Sequence, residues 1–285
     1  MNTEIIQEKF DSYRTASVQE EENALAEITH EIALAGLSRS GFFKDAIFQG
    51  GTCLRILYNL ERFSEDLDFI LKKSDANFNW QNHLKKVEEE FNAYGIELTV
   101  EDRSKANETV KKAFLKNASI GKILLLKHPK QDGISKLIKI KFEVDINPPN
   151  GSGFETKYLN FPYPFPITTQ DMPSLLAGKS HALLCREYTK GRDWYDFAWY
   201  AGRKTGLNYN FLSNALNQIG PWKGKNPIVD KEWYLNEIKQ KIEVIDWDIA
   251  KQDVSRFLKQ KDLPTIEFWN QNYFLDCLDK MVSCL

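Results

Sequence analysis

The chain has 285 residues and no Pro- or Gly-rich stretch, a length that suggests two domains at roughly 100 to 200 residues each. With 42% hydrophobic, 13% aromatic and 27% charged residues, the composition is globular and excludes a disordered, collagenous or coiled-coil protein. A formal charge of -2, from 38 basic and 40 acidic residues, argues against a bulk nucleic-acid coat or membrane binder while saying nothing of local patches.

The longest apolar runs, such as Ile123 to Leu126, fall far short of the roughly 18 residues that a membrane-spanning helix needs. The amino-terminal MNTEIIQEKF lacks a charged-then-apolar signal pattern, so the sequence reads as a cytoplasmic protein with no membrane partner. Cys53, Cys185, Cys277 and Cys284 show no C-x-x-C pairing, and His30, His83, His128 and His181 stand at no zinc-ligand spacing from them. The thiols read as reduced core residues.

Residues 1 to about 40 carry helical patterning, with Ala24, Ile28, Ile32 and Leu37 near a 3.6-residue period behind the acidic run Glu20 to Glu22. At AIFQGGT a short strand meets two glycines, and a helix is expected from Thr52. Leu67 to Leu71 reads as a strand and Asn79 to Tyr94 as a helix stopped by Gly95. Strands are then expected at Ile96 to Val100, Val110 to Leu115, Ile120 to Leu126 and Leu137 to Ile146, the last with Ile140, Phe142, Val144 and Ile146 alternating on one face. NPPNGSG ends the sheet, because consecutive prolines cannot extend a ladder. After a strand at Glu155 to Leu159, the Pro-broken FPYPFP at 161 to 166 is the expected boundary between a domain of residues 1–165 and one of 166–285. Helices are expected near 171–187, 191–203, 208–218, 230–243, 247–260 and 264–282, and no internal repeat is found.

The most informative stretch is Gln49 to Phe69, QGGTCLRILYNLERFSEDLDF, which heads a helix with Gly50, Gly51 and Thr52 and opens a strand with Asp66-x-Asp68. Alternation puts both carboxylates on one side, an arrangement that raises their pKa values unless a cation sits between them. Mg²⁺ suits that place, since it takes one or two protein carboxylates plus phosphate oxygens. The glycines let a backbone leading into a helix approach a triphosphate and offer it amide hydrogens, to which Thr52 could add a hydroxyl. In KIKFEVDI, Lys139, Lys141, Glu143 and Asp145 share the face opposite the apolar one. Asp145, near the strand end, would complete a three-carboxylate site for one or two Mg²⁺ ions, or else simply prepare the Asn-Pro turn.

The run GGTCLRILYNLERFSEDLDF resembles the signature of the AbiEii/AbiGii toxin family, nucleotidyltransferase-like toxins of type IV abortive-infection systems. LLAGKSHALLCREYTKGRDWYDFAWY, residues 175–200, resembles the family's second hallmark, a Lys helix followed by an Arg-Asp-x-x-Asp helix. With the EVDI strand, the resemblance spans roughly residues 45–200. It implies an α+β architecture: a DNA polymerase β-like nucleotidyltransferase fold with a mixed sheet, followed by a helical C-terminal domain that contributes Lys and Asp to the active-site cleft. Gly50, Gly51 and Thr52 then match the phosphate-cradling turn, with Thr where many nucleotidyltransferases have Ser. Asp66 and Asp68 match the metal-binding pair, Lys179 the family's lysine, and Asp193 or Asp196 its last essential acid.

Lys179, Leu183 and Arg186 share a helical face, so both cations could reach the phosphates, or else pair with Glu187 and Asp193. Of Asp193 and Asp196, one is expected to face the cleft, Asp196 by preference, while the other caps the helix or holds Arg192 or Arg186. Arg55, Arg62 and Ser64 could orient the loop before Asp66 or touch phosphate, with pairing to Glu61 or Glu65 as the alternative.

The near-neutral total conceals a segregation. Arg103 to Lys141 holds eleven Lys and Arg against Glu108 and Asp132, a net charge of +9 that leaves -11 for the rest. Such a segment attracts phosphate backbones, or is a solvated lysine-rich face or the dock for an acidic partner. Phe114, Tyr158, Tyr163 and Phe165 could stack on unpaired bases or serve the core, and the six Trp beyond residue 190 read as packing anchors.

Together these features predict a Mg²⁺-dependent nucleotidyltransferase that uses NTP, with Asp66, Asp68 and Asp145 on metal and Lys179 on the triphosphate. The resemblance implies a growth-inhibiting toxin of phage defence, acting on RNA such as the tRNA 3′ end and neutralised by a separately encoded antitoxin. A protein or small-molecule acceptor, and a degenerate non-catalytic interaction module, are the competing readings.

Overall fold

A computed structural model describes residues 3–105, 108–117, 120, 124–126, 128 and 138–285. It divides into two compact units, Met1–Pro148 with Thr156–Thr169, and Pro149–Glu155 with Gln170–Leu285. Among the described residues no helix is long and apolar enough to cross a membrane.

The amino-terminal helical pattern resolves into α1 (Glu4–Ser12) and α2 (Val18–Arg39), because Ser17 caps the second helix by accepting the Glu20 amide at 3.2 Å. The Glu20 carboxylate reaches back to the Ala16 amide at 3.0 Å and completes the cap. Then come β1 (Ala46–Gln49), α3 (Gly50–Tyr58), β2 (Leu67–Leu71), α4 (Gln81–Ala93), β3 (Leu98–Asp102), β4 (Val110–Asn117), β5 (Ile138–Asp145), β6 (Phe154–Leu159) and β7 (Phe165–Gln170). Helix α3 starts at Gly50 rather than Thr52, so both glycines belong to its first turn. Of the strand expected at Ile120 to Leu126, residues 121–123 lie outside the described residues, and Ile120 and Leu124 to Leu126 are not in a strand. Strand β7 is absent from the sequence reading because Pro166 masks it. It joins the sheet parallel to β1, with Phe48 opposite Thr169, and the boundary expected at 165/166 falls inside it.

One seven-stranded mixed sheet results, in the order β3-β4-β5-β2-β1-β7-β6. β2 runs antiparallel to β1 and parallel to β5, and β4 runs antiparallel to both β5 and β3. Leu67, Phe69 and Leu71 of β2 and Ile140, Phe142 and Val144 of β5 are buried. Phe69 meets Phe42 edge-on at 4.9 Å, and Trp80 stacks on Phe42 at 5.5 Å and meets Phe142 at 5.9 Å. Strand alternation then sends Asp68, Lys141, Glu143 and Asp145 to the opposite, partly open face.

The second unit is helical: α5 (Met172–Cys185), α6 (Gly191–Gly202), α7 (Tyr209–Gln218), α8 (Lys231–Val244), α9 (Trp247–Ser255) and α10 (Gln271–Met281). Asp171, Asn208, Asp230, Asp246 and Asn270 each accept an amide at a helix start. Pro264 lies in a 3-10 turn, Gln260–Ile266, so the last two helices are shorter than expected. Trp194, Trp247 and Phe274 form the core, with Trp247 stacked on Phe274 at 4.3 Å.

Candidate active site

In the first unit the Gly-Gly turn and the Asp pair are neighbours in space. Gln49 lies opposite Asp68 in the β1–β2 ladder, which brings the start of α3 beside the Asp68 side chain. Gly50 has φ +79°, and a Cβ there would stand 2.7 Å from Asp68 Oδ2. A Cβ on Gly51 would stand 2.5 Å from Arg62 Nη2 and 3.0 Å from Ser64 Oγ. The bare backbone thus makes room for one carboxylate, one guanidinium and one hydroxyl. Gly50→Ala is therefore expected to cost about 1–3 kcal/mol in backbone strain and to displace Asp68, lowering kcat for transfer more than it raises KM for NTP. Denaturant titration and steady-state kinetics check both halves.

The loop before Asp66 is held through its carbonyls. Thr52 Oγ1 donates to the Asp66 carbonyl, His30 Nε2 to that of Glu65 at 3.0 Å, and Arg62 Nη1 to that of Phe63 at 2.9 Å. Arg55 Nη1 donates to the carbonyls of Leu60 and Glu61 at 3.0 and 2.7 Å, while its Nε meets Glu27 at 2.6 Å. Thr52 is 1% exposed, so its hydroxyl positions Asp66 and is not turned to a phosphate as the sequence suggested. Burial lowers the His30 pKa, consistent with a neutral ring donating through Nε2. His30 and Glu27 were missed by sequence reasoning, because nothing local marks helix residues that reach a loop some 35 positions away.

The two carboxylates of β5 stand at different ladder positions. In the parallel β2–β5 ladder Asp68 faces Glu143, whereas Asp145 faces the buried Ile70. Asp145 Oδ1 instead accepts the Asn147 amide at 2.9 Å, and burial raises its pKa. Lys141 Nζ bridges Asp66 Oδ2 at 3.3 Å and Glu143 Oε2 at 2.8 Å, and Lys112 approaches Glu143 at 3.8 Å. Burial lowers the Lys141 pKa, but the two carboxylates outweigh it and the net shift is upward. Among the described residues no three His, Cys, Asp or Glu side chains converge as a metal cage. Asp66, Asp68 and Asp145 do not form a cluster among the described residues: the register sets Asp145 two positions beyond the partner of Asp68, and Lys141 joins Asp66 to Glu143.

In the second unit Lys179 Nζ lies 2.7 Å from Asp193 Oδ1 and 2.8 Å from Asp196 Oδ2. The i, i+3 spacing on α6 aims both acids at the same ammonium. Arg186 pairs with the other oxygen of Asp193. Asp196 is fully buried and both acids bind the lysine, while Asp193 also holds Arg186, one of the roles the sequence allowed it. Arg186, Lys190, Lys241 and Asp193 line a cavity of roughly 90 Å³, well below the roughly 300 Å³ at which small-molecule pockets begin. Burial raises the Asp193 pKa, but Lys179 and Arg186 outweigh it and hold the group at about 2. A depressed carboxyl contributes stability in full above its unfolded value near 4, and loses it as pH falls through the folded value. The helical unit is therefore expected to lose stability as pH falls from about 4 to about 2, measured by denaturant titration across that window.

The model of the AbiEii family, described as nucleotidyl transferase toxins of type IV toxin-antitoxin systems, matches residues 32–276. The chain belongs to this family. AbiEii membership makes it a nucleotidyltransferase and the toxin partner of a cognate antitoxin. No curated protein matches the sequence. Two solved structures share the fold with this AbiEii chain. One is a protein from H. pylori provisionally described as a nucleotidyltransferase, with TM-score 0.50, 18% identity, and 89% of this chain and 92% of that one covered. The other is JHP933 from Helicobacter pylori, with TM-score 0.51, 16% identity, and coverage of 90% and 92%.

Proposed function

We propose that the chain has the polymerase β-like form of the nucleotidyltransferase fold and transfers NMP from an NTP to an RNA hydroxyl, the tRNA 3′ end above all, releasing pyrophosphate. The observation that carries this reading is Asp68 facing Glu143 across β2 and β5 while its carboxylate abuts Gly50 at the head of α3. Like charges gathered beside a helix N-terminus suit a polyanion bound together with cations.

Asp66, Asp68 and Glu143 offer oxygen donors alone, and an ammonium already lies between two of them, so the donor set fits a hard divalent cation. These three would hold Mg²⁺, which when bound supplies charge neutralisation and Lewis acidity at the reacting phosphate. The first-turn amides of α3 bind triphosphate oxygens, and Arg62 and Ser64, lodged against Gly51, keep that turn open. The hydrogen bonds of Thr52 and His30 fix the backbone at Asp66 so that its carboxylate need not reorganise during transfer. In the helical unit, Lys179, held by Asp193 and Asp196 with Arg186 beside Asp193, is the cation that the family resemblance assigns to the triphosphate.

The +9 stretch from Arg103 to Lys141 supports RNA as the acceptor, because polyanion binding is driven by cation count. Described cations of that stretch include Arg103, Lys112, Lys116, Lys139 and Lys141; Lys111 is buried, and Lys122, Lys127, Lys130 and Lys136 lie outside the described residues. Acting in the cytoplasm, the toxin would arrest growth of phage-infected cells when its antitoxin is lost. The test is incubation with each α-labelled NTP and total cellular RNA: ribonuclease-sensitive label is expected. Protease-sensitive label would identify a protein acceptor, and labelling from γ-labelled NTP instead would overturn nucleotidyl transfer.

A further inference from the structure

We propose that the sheet face bearing Asp66 and Asp68 continues across β5, β4 and β3 as the seat for single-stranded RNA, with Phe114 as the ring on which an unpaired base stacks. This rests on the RNA-acceptor reading above and adds the surface and the residues. In β4, Ala113 and Leu115 turn to the core, while Phe114 between them stays half-buried on the other face. Its ladder partners are Lys141 of β5 and Glu101 of β3. A phenyl ring in an interior strand, on the face that also carries Lys112, Lys116, Lys139 and Lys141, has a polar neighbourhood that core packing does not call for.

Cations already occupy the ring. The Lys139 ammonium lies 4.6 Å and the Arg103 guanidinium 5.2 Å from its centroid, and Lys139 is exposed. A cation over an exposed ring is worth roughly 2- to 5-fold in equilibrium terms, whereas a stacked base is worth roughly 5- to 100-fold. A base therefore displaces a cation from the ring, and the freed side chain is placed to meet the phosphate that the base brings with it. Arg103 and Lys116 both pair with Glu101, at 2.5 and 2.8 Å, surface contacts that a phosphate can replace. Lys141, opposite Phe114, also pairs with Asp66. Two inter-strand spacings put the ring roughly 10 Å from β2, so RNA stacked there lies alongside the carboxylates.

Fluorescence anisotropy with a labelled single-stranded oligoribonucleotide and no NTP measures this directly. Phe114→Leu is expected to weaken binding at least about 5-fold, and Phe114→Trp to keep it within about 2-fold. Lys139→Gln, at an exposed position, should reduce the slope of log K against log salt by about 0.7. Wild-type affinity in a natively folded Phe114→Leu, an unchanged salt slope in Lys139→Gln, or equally tight binding of an RNA duplex would overturn the proposal. Binding that responds as expected in a protein that transfers no nucleotide would leave this surface standing and sink the RNA-transferase reading. Transfer with indifferent variants would do the reverse.

Discussion

Asp68→Asn is expected to lower single-turnover nucleotidyl transfer by at least about 10²-fold, out of proportion to any change in unfolding free energy. The side chain stands where three features meet: the head of α3, Gln49 of β1 and Glu143 of β5. Asparagine keeps the shape that fits against Gly50 and one carbonyl-type acceptor oxygen, so packing survives. What disappears is one negative charge, which a bound hard cation requires and packing does not. A residue that merely filled the space left by Gly50 would tolerate the change. Activity lost without stability lost identifies a group retained for chemistry; activity retained would leave Asp68 as packing.

Lys179→Met is expected to cost about 3–5 kcal/mol of stability in the helical unit, whatever it does to transfer. Lys179 is the ammonium shared by Asp193 and Asp196, and removing it leaves buried negative charge one cation short. Arg186 still serves Asp193, so the burden falls chiefly on Asp196, which is fully buried. Adding Asp196→Asn to the lysine variant should recover part of the loss, since the pair is then removed together rather than broken. Denaturant titration of the single and double variants checks this. A loss below about 1 kcal/mol for Lys179→Met would show the ion cluster to be incidental. Because stability falls along with activity, Lys179 variants are poor proof of catalysis, and Asp68→Asn is the cleaner probe.

The parts of the site that lie close in sequence were legible there. Gly50, Gly51, Asp66 and Asp68 fall within 19 residues, and strand alternation places Lys139, Lys141, Glu143 and Asp145 on one face from residue types alone. The register between β2 and β5 was not legible. Those strands are some 70 residues apart in the chain, and a shift of two residues exchanges Glu143 for Asp145 without altering either local pattern. The double grip on Lys179 was half visible: i, i+3 spacing allows it, but only burial forces two acids onto one ammonium. Thr52 misled because a hydroxyl in a glycine turn matches a phosphate cradle, while its partner, the Asp66 carbonyl, is backbone and leaves no mark in side-chain patterns. Strand β7 was hidden by Pro166, which an interior strand rarely carries.

The central claim is that transfer occurs on the face where β2 and β5 set Asp68 opposite Glu143, with Asp66 immediately before β2. The most direct measurement compares Glu143→Gln with Asp145→Asn in the same single-turnover assay with α-labelled NTP and RNA. The account predicts a loss of at least about 10²-fold for Glu143→Gln and less than about 10-fold for Asp145→Asn. The reverse order, with Glu143→Gln near wild type and Asp145→Asn inactive, would contradict it.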